Sequence, residues 1–381
     1  MGNSACFSIK NKTISIKDCF IQKSQIVYKS IDIKIDIENS LDYLRFLKAI
    51  DFNFCKQFKI GPYFLCDIPI LFNNQYKKNT TLILKGLLKM IKYTQYNEID
   101  YKVLFTSENI LFFSRIKDKK IKEFIQDCPS MAFRVPLYCV LLSSIPNSFF
   151  TNERGTLFDK KNAVKKQIEL DIPRTSFKYE VMKEKQFNTN FRSLLYELAC
   201  RDEDLAYVQG MNFIAAFILM FTGNQLELSL LFFMKILNLQ SKIFNMPFRN
   251  VFADNFILLK YYLTQFKDMM CRYEYDIYKK LEEIDNDYFF WVSKWIQTLF
   301  VLNFKFEFAM KFWDIILSEG LDSILVISLS IVKFIENDIL QIHYIEELFL
   351  VLEKINNFSS EECVALFSLI ERNVKENKYP I

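Results

Sequence analysis

The chain holds a single histidine, His343, in 381 residues. One imidazole excludes a multi-histidine metal site and leaves Ser-His or Cys-His catalysis dependent on that residue alone. Ordinary helix packing is its expected role, and no metal site is expected. Glycine and proline are also scarce, at 7 and 8 residues against 40 phenylalanines. That balance argues against turn-rich β architecture and for long packed helices, so the predicted fold class is all-α. No Cys-x-x-Cys pair occurs among the nine cysteines at positions 6, 19, 55, 66, 128, 139, 200, 271 and 363. They read as reduced thiols of a cytoplasmic protein. No apolar run reaches the ~20 residues that a spanning helix needs; the longest helix-like one, Met211 to Phe221, is stopped by Thr222, Gly223 and Asn224. The formal charge of +4 is spread along the chain without Arg-rich blocks or aromatic-basic interleaving. Nucleic acid is therefore not an expected partner.

Hydrophobic residues make up 51% of the chain, enough for a sizeable core. Residues 1–37 differ from the rest: alternating segments such as Ile31 to Ile37 predict a half-buried strand and a small mixed N-terminal extension. Their start, Met1-Gly2-Asn3-Ser4-Ala5-Cys6, resembles a myristoylation signal with Cys6 where Ser or Thr is preferred. Gly2 and Cys6 are candidate lipidation sites. One acyl chain binds a membrane only marginally, and the nearby Lys10, Lys12, Lys17 and Lys23 would reinforce a peripheral membrane contact. The plainer alternative is an ordinary frayed terminus. Residues 38–121 read as a helical linker region with segments Leu41 to Phe52 and Thr81 to Tyr93, and carry no motif of chemistry.

Two stretches stand out. In Tyr207-Val208-Gln209-Gly210-Met211-Asn212-Phe213-Ile214-Ala215-Ala216, a rare glycine sits where a polar segment opens into an apolar helix. Gly210 permits a backbone angle or close approach that a side chain forbids, which holds Gln209 at a rigid corner. The second stretch is Gln167-Ile168-Glu169-Leu170-Asp171-Ile172-Pro173-Arg174-Thr175. Pro173 fixes its own φ and pushes Ile172 into an extended form, which predicts that Arg174 stands on a rigid surface turn and not in a helix interior. Asp171, three residues earlier, is placed to hold the guanidinium ready. Residues 146–166 read as a loop before this segment, and Asn190 to Ala206 as a helix after it.

Together the two stretches resemble the signature of the TBC-type Rab GTPase-activating domains. Ile168, Asp171, Arg174 and Thr175 match the family's Ile-x-x-Asp-x-x-Arg-Thr, and Tyr207, Gln209, Gly210, Met211, Asn212 and Ala215 match its Tyr-x-Gln-Gly-Met-Asn segment. The resemblance begins near Lys122; Arg134 is kept where the family has Arg-Gly and then Trp, with Val135 in the glycine's place and Tyr138 in the tryptophan's. Trp295-Ile296-Gln297-Thr298-Leu299-Phe300 and Phe312-Trp313-Asp314 resemble two later family helices, and both tryptophans are expected in the core. Further helices are predicted over Leu226 to Leu239, Phe252 to Met270, Tyr275 to Ile284, Tyr288 to Val301, Phe306 to Leu317, Leu321 to Ile335, Tyr344 to Ile355 and Ser359 to Glu376, the last opened by a Ser359/Glu362 capping box. The predicted domain spans 122–376.

The resemblance implies a multi-helix bundle and a Rab-type GTPase in its GTP form as partner. A small GTPase hydrolyses GTP slowly because its site lacks a cation for the charge building on the phosphates and a firm orienter for the attacking water. Arg174 and Gln209 are the implied catalytic pair, an arginine finger and a glutamine finger supplied in trans. Arginine suits the first task because its planar fork is always charged and meets two phosphate oxygens at once. Glutamine suits the second because its amide both accepts from and donates to water. Asp171, Thr175, Tyr207, Gly210, Asn212 and Arg134 are the implied supporting or partner-binding residues. No cofactor of its own is implied; GTP and Mg belong to the GTPase, and the protein would be an activator in membrane trafficking with no reaction of its own, peripheral on endomembranes. The alternative reading is a catalytically silent scaffold or effector-type binding module on the same fold. Residues 40–72 also bear a fainter resemblance to the linker of the TBC-domain kinase-like subfamily, without its kinase-like domain.

Overall fold

The computed structural model describes residues 162–176, 180–202, 204–284 and 287–380, together with Tyr138, Leu141, Leu142, Ile145 and four short strands between residues 6 and 28. The chain divides into two units, one formed by residues 1–144 and 219–228 and the other by residues 145–218 and 229–381. In the first, β1 (Cys6–Ile9) pairs antiparallel with β2 (Lys12–Ser15), Cys6 opposite Ser15, and β3 (Cys19–Gln22) pairs with β4 (Gln25–Tyr28), Cys19 opposite Tyr28. Tyr138 is buried and meets Phe221 edge-on at 5.9 Å, so the aromatic in the tryptophan's place is a core residue. The strand expected over Ile31 to Ile37 and the helices expected over Leu41 to Phe52 and Thr81 to Tyr93 lie outside the described residues.

The fold is all-α. In chain order the helices are α1 (Asn162–Ser176), α2 (Lys185–Arg201), α3 (Met211–Phe221), α4 (Leu226–Leu237), α5 (Ile257–Tyr273), α6 (Tyr275–Glu283), α7 (Val292–Gln297), α8 (Phe306–Glu319), α9 (Ser323–Phe334), α10 (Glu336–Gln341), α11 (Ile345–Ile355) and α12 (Ser360–Lys375). A short hairpin of two-residue strands, β5 (Gln240–Ser241) with β6 (Met246–Pro247), follows α4 and has no counterpart in the sequence-based expectation. Asp322 explains it: its carboxylate accepts from Ser241 Oγ at 2.6 Å, Lys242 N at 2.7 Å and Tyr262 Oη at 2.8 Å. No helix among the described residues is long and apolar enough to cross a membrane.

Several helix bounds differ from expectation for identifiable reasons. The segment expected to begin as a helix at Phe252 starts at Ile257, because Asn255 and Phe256 take left-handed φ of 57° and 62°. The helix expected through Val301 stops at Gln297: Leu299 and Phe300 also have positive φ, and the Leu299 carbonyl turns to accept from Trp313 Nε1 at 3.3 Å. Both expected core tryptophans are buried; Trp295 packs edge-on to Trp291 at 4.9 Å and Trp313 lies 5.0 Å from Phe217. His343 is exposed at the turn before α11, not packed in a helix. Its backbone N–H and that of Tyr344 instead donate to Glu347, at 2.6 and 3.4 Å, satisfying a helix start that lacks a Ser, Thr, Asp or Asn cap. The Ser359/Glu362 capping box opens α12, with reciprocal bonds of 3.2 and 2.7 Å. The chain end is anchored at the buried Glu274, which accepts from Tyr379 Oη at 2.6 Å and pairs with Lys333 at 3.0 Å.

Candidate functional site

Helix α1 begins at Asn162, inside the span expected to be loop, and runs through Pro173. Arg174 therefore stands on the last turn of a helix and not on an extended surface turn. Proline is tolerated there because it removes only one bond, the one its N–H would make to the Glu169 carbonyl, and the helix ends three residues later. Tertiary bonds to the same turn offset the loss. Ile168, Ile172, Asp171 and Thr175 form the buried face of α1, while Leu170, Pro173 and Arg174 face outward.

The Asp171 side chain is 1% exposed and accepts three hydrogen bonds. Gln167 Nε2 donates at 3.0 Å, Tyr207 Oη at 2.9 Å and the Arg174 guanidinium at 3.1 Å. Arg174 itself is 61% exposed, so one terminal nitrogen of its guanidinium is tethered while most of the side chain stays in solvent. Burial raises the pKa of the Tyr207 phenol well above its ordinary value, and the Asp171 charge adds to the rise. The phenol is thus a permanent donor to the carboxylate.

A second relay runs beside the first. The Gly210 N–H donates to Asn212 Oδ1 at 2.9 Å, Asn212 Nδ2 donates to Thr175 Oγ1 at 2.7 Å, and the Thr175 hydroxyl donates to the Asp171 carbonyl at 2.8 Å. Gly210 has φ +108°, a conformation that L side chains rarely adopt. A Cβ there would stand 3.4 Å from the Phe252 ring. Gln209, immediately before it, is exposed and makes no side-chain hydrogen bond among the described residues. The segment bearing Arg174 and the corner bearing Gln209 are thereby joined by two buried polar connections, and each presents one exposed polar side chain.

The roles of the surrounding residues narrow accordingly. Asp171, Thr175, Tyr207, Gly210 and Asn212 are all buried, and Tyr207 and Asn212 bond within the corner to Asp171 and Thr175. Arg134 and Gly2 lie outside the described residues, and Cys6 falls in β1 with no description of its side chain.

Two further supports escaped sequence reasoning. Arg249, in a 3₁₀ turn at Phe248–Val251, grips Asp202 with Nε at 2.5 Å and a terminal nitrogen at 2.7 Å, both residues being buried. Asp202 ends α2 and also accepts from Leu205 N at 3.0 Å, while its carbonyl accepts from Ala206 N at 2.7 Å. This pins the approach to Tyr207, including Ala206 in a left-handed φ of 53°. The partners lie 47 residues apart, and nothing local in the sequence pairs them. On the other side, Glu169 of α1 accepts two bonds from Arg192 of α2, at 2.8 and 3.2 Å, and one from the Tyr196 hydroxyl. Burial works to raise the Glu169 carboxyl, but these hydrogen bonds hold it below the usual range. Burial and the Glu169 bond push the Tyr196 phenol up to about 12.

A family model described as the Rab-GTPase-TBC domain matches residues 132–340, more than half of the chain and including both stretches. The Rab GTPase-activating protein tbc-11 of Caenorhabditis elegans is 28% identical over 178 residues, 46% of this chain and 18% of that protein. TBC1 domain family member 12 of Xenopus tropicalis is 26% identical over 239 residues, 60% of this chain and 33% of that protein. The GTPase-activating protein GYP5 of Saccharomyces cerevisiae is 24% identical over 203 residues, 53% of this chain and 21% of that protein. The chain spans a third or less of these curated relatives. Among solved structures, the Chlamydomonas flagellar RabGAP TBC domain aligns with a TM-score of 0.55 at 14% identity, covering 79% of this chain and 96% of that one. The Ypt/Rab-GAP domain of Gyp1p also reaches 0.55 at 14% identity, covering 69% and 94%. These two likenesses concern the fold.

Proposed function

Because the chain belongs to the Rab-GTPase-TBC domain family, we propose that it is a GTPase-activating protein for a Rab-type small GTPase in its GTP form, with Arg174 and Gln209 supplied in trans. The observation that carries the reading is the pairing of two exposed polar side chains on segments tied together beneath the surface by Asp171–Tyr207 and Thr175–Asn212. Each side chain has the chemistry for one missing part of a slow GTPase site. The Arg174 guanidinium spends one terminal nitrogen on Asp171 and keeps its other donors outward for phosphate oxygens. Held by Asp171 through that nitrogen, it loses less conformational freedom on insertion than a loose side chain. Gln209 orients the attacking water through its amide and does not act as a base. GTP and magnesium are the partner's, and this chain contributes positioned charge and hydrogen bonds.

Single-turnover GTP hydrolysis over a panel of Rab-type GTPases tests the proposal. Acceleration of at least one, lost in Arg174→Ala, is the expected result. No acceleration of any of them, with binding retained, would assign the chain to the scaffold reading instead.

A further inference from the structure

We infer that Leu170 is an apolar docking residue for the same GTPase, seated one helical turn from the arginine that enters its nucleotide site. The inference rests on the functional reading above and extends it to what the partner must present. In α1, residues four apart lie one above the other, so Leu170 and Arg174 share a face. Leu170 is 49% exposed, a large apolar side chain in water on the helix that carries the guanidinium. A lone exposed leucine needs no explanation by itself. This one is continuous with the site: Lys166, Leu170, Pro173 and Arg174 are all exposed and recur at helical spacing, an apolar centre with cations at its two ends.

The residues between them are engaged elsewhere. Gln167 and Asp171 bond one another, Glu169 is held by Arg192 and Tyr196, and Ile168 and Ile172 are buried. The helix is therefore fixed in rotation, and Leu170 projects outward wherever Arg174 does. A GTPase close enough to receive the Arg174 guanidinium in its phosphate site has to cover the turn before it. The matching surface on the GTPase is an apolar patch bordering the nucleotide cleft, with acidic groups nearby to meet Lys166. Apolar contact of this kind is made equally in ground and transition states, so it lowers KM and leaves kcat alone. It also supplies discrimination among GTPases that the two fingers do not, since a polar rim at that place would leave Leu170 against unpaired groups.

The test uses the full chain with Leu170→Gln, which keeps helix propensity and adds no charge that would capture Arg174, and Leu170→Met as the conservative control. Hydrolysis is followed at varied GTPase concentration, and binding to the GTPase loaded with a non-hydrolysable GTP analogue is measured in parallel. The expected result is a KM and a dissociation constant raised about tenfold in Leu170→Gln, with kcat and thermal stability unchanged and Leu170→Met near wild type. Unchanged KM and binding in Leu170→Gln, with wild-type chain active, overturns this inference and spares the proposed function. Wild-type chain that binds but does not accelerate hydrolysis, with binding weakened by Leu170→Gln, supports the docking role and rejects the catalytic reading. Wild-type chain that neither binds nor accelerates any GTPase of the panel overturns both.

Discussion

The Tyr207 hydroxyl donates to Asp171 Oδ2 at 2.9 Å, across 36 residues of chain, and so ties the helix of Arg174 to the corner of Gln209. Removing that hydroxyl separates positioning from chemistry. In Tyr207→Phe the buried carboxylate keeps Gln167 and Arg174 but loses a donor, which costs about 1.5–3 kcal/mol as a hydrogen bond to a charged group. Denaturant unfolding should register that loss in the folded chain. The activity prediction is a kcat lowered about tenfold with KM little changed, because Arg174 and Gln209 are still present but less well held for the proposed role. A kcat equal to wild type would show that the bond serves stability alone.

The corner before Gln209 contains a strain that can be relieved. Ala206 has φ 53°, a left-handed conformation that costs a residue with a Cβ roughly 1 kcal/mol relative to glycine. Ala206→Gly should stabilise the chain by a few tenths up to about 1 kcal/mol, reduced by the greater freedom of glycine in the unfolded state. Gly210→Ala should act in the opposite sense, since its φ of +108° is strained for any side chain and the added Cβ meets Phe252 at 3.4 Å. A destabilisation of about 1–3 kcal/mol is expected. Melting curves of the two variants, read side by side, check both signs.

Asp202 and Arg249 offer a deeper perturbation. The pair is buried and bidentate, so Arg249→Met leaves Asp202 charged and unpaired at a cost of about 3–5 kcal/mol. A double variant, Asp202→Asn with Arg249→Met, should recover much of that loss, because no isolated buried charge remains. Chemical denaturation of the single and double variants decides this; a double variant as unstable as the single one would mean that geometry, not charge, is what the pair provides.

How much of this was legible in the sequence depends on whether the determining contact was local. The apolar helix at Met211, the capping box at Ser359, the core tryptophans and the glycine at the corner all follow from composition and spacing within a turn or two. Pro173 shows the limit. The local rule that proline leaves a helix was correct about the lost bond to Glu169 but blind to the buried Asp171, Thr175 and Asn212 contacts that hold the last turn of α1 together. His343 misled for a similar reason: as the only imidazole it invited a packing role, whereas only its backbone N–H matters to the start of α11. Asp202–Arg249 and Glu169–Arg192 join residues 47 and 23 apart, and no periodicity in one sequence encodes such pairings.

The N-terminus yields an independent prediction. Met1-Gly2-Asn3 followed by scattered lysines suits myristoylation of Gly2 after removal of Met1, with Cys6 as the alternative acyl site. Mass spectrometry of the N-terminal peptide from cells should show a mass increase on Gly2. A retained Met1 or an unmodified Gly2 would reject myristoylation and leave Cys6 as the remaining candidate acyl site.

The last prediction separates the two fingers. In the proposed role Arg174 offsets charge that develops only in the transition state, so Arg174→Ala should lose most of the acceleration, on the order of 10³-fold or more. Arg174→Lys should recover little of it, because an ammonium cannot reproduce the planar fork. Neither change should unfold the chain, since the Arg174 side chain is 61% exposed and the buried Asp171 keeps its bonds from Gln167 and Tyr207. Gln209→Ala should also be severe for activity and mild for folding, its amide being exposed. The sharper experiment alters the partner. If Gln209 orients the attacking water, the GTPase's own glutamine is redundant in the complex, and replacing it with alanine should leave much of the stimulated rate intact. If instead Arg174 is the sole contribution of this chain, that replacement abolishes stimulation. Single-turnover hydrolysis on the altered GTPase, run beside the unaltered one, distinguishes the outcomes, and a complete loss on the altered GTPase rejects the assignment of Gln209 while leaving that of Arg174 in place.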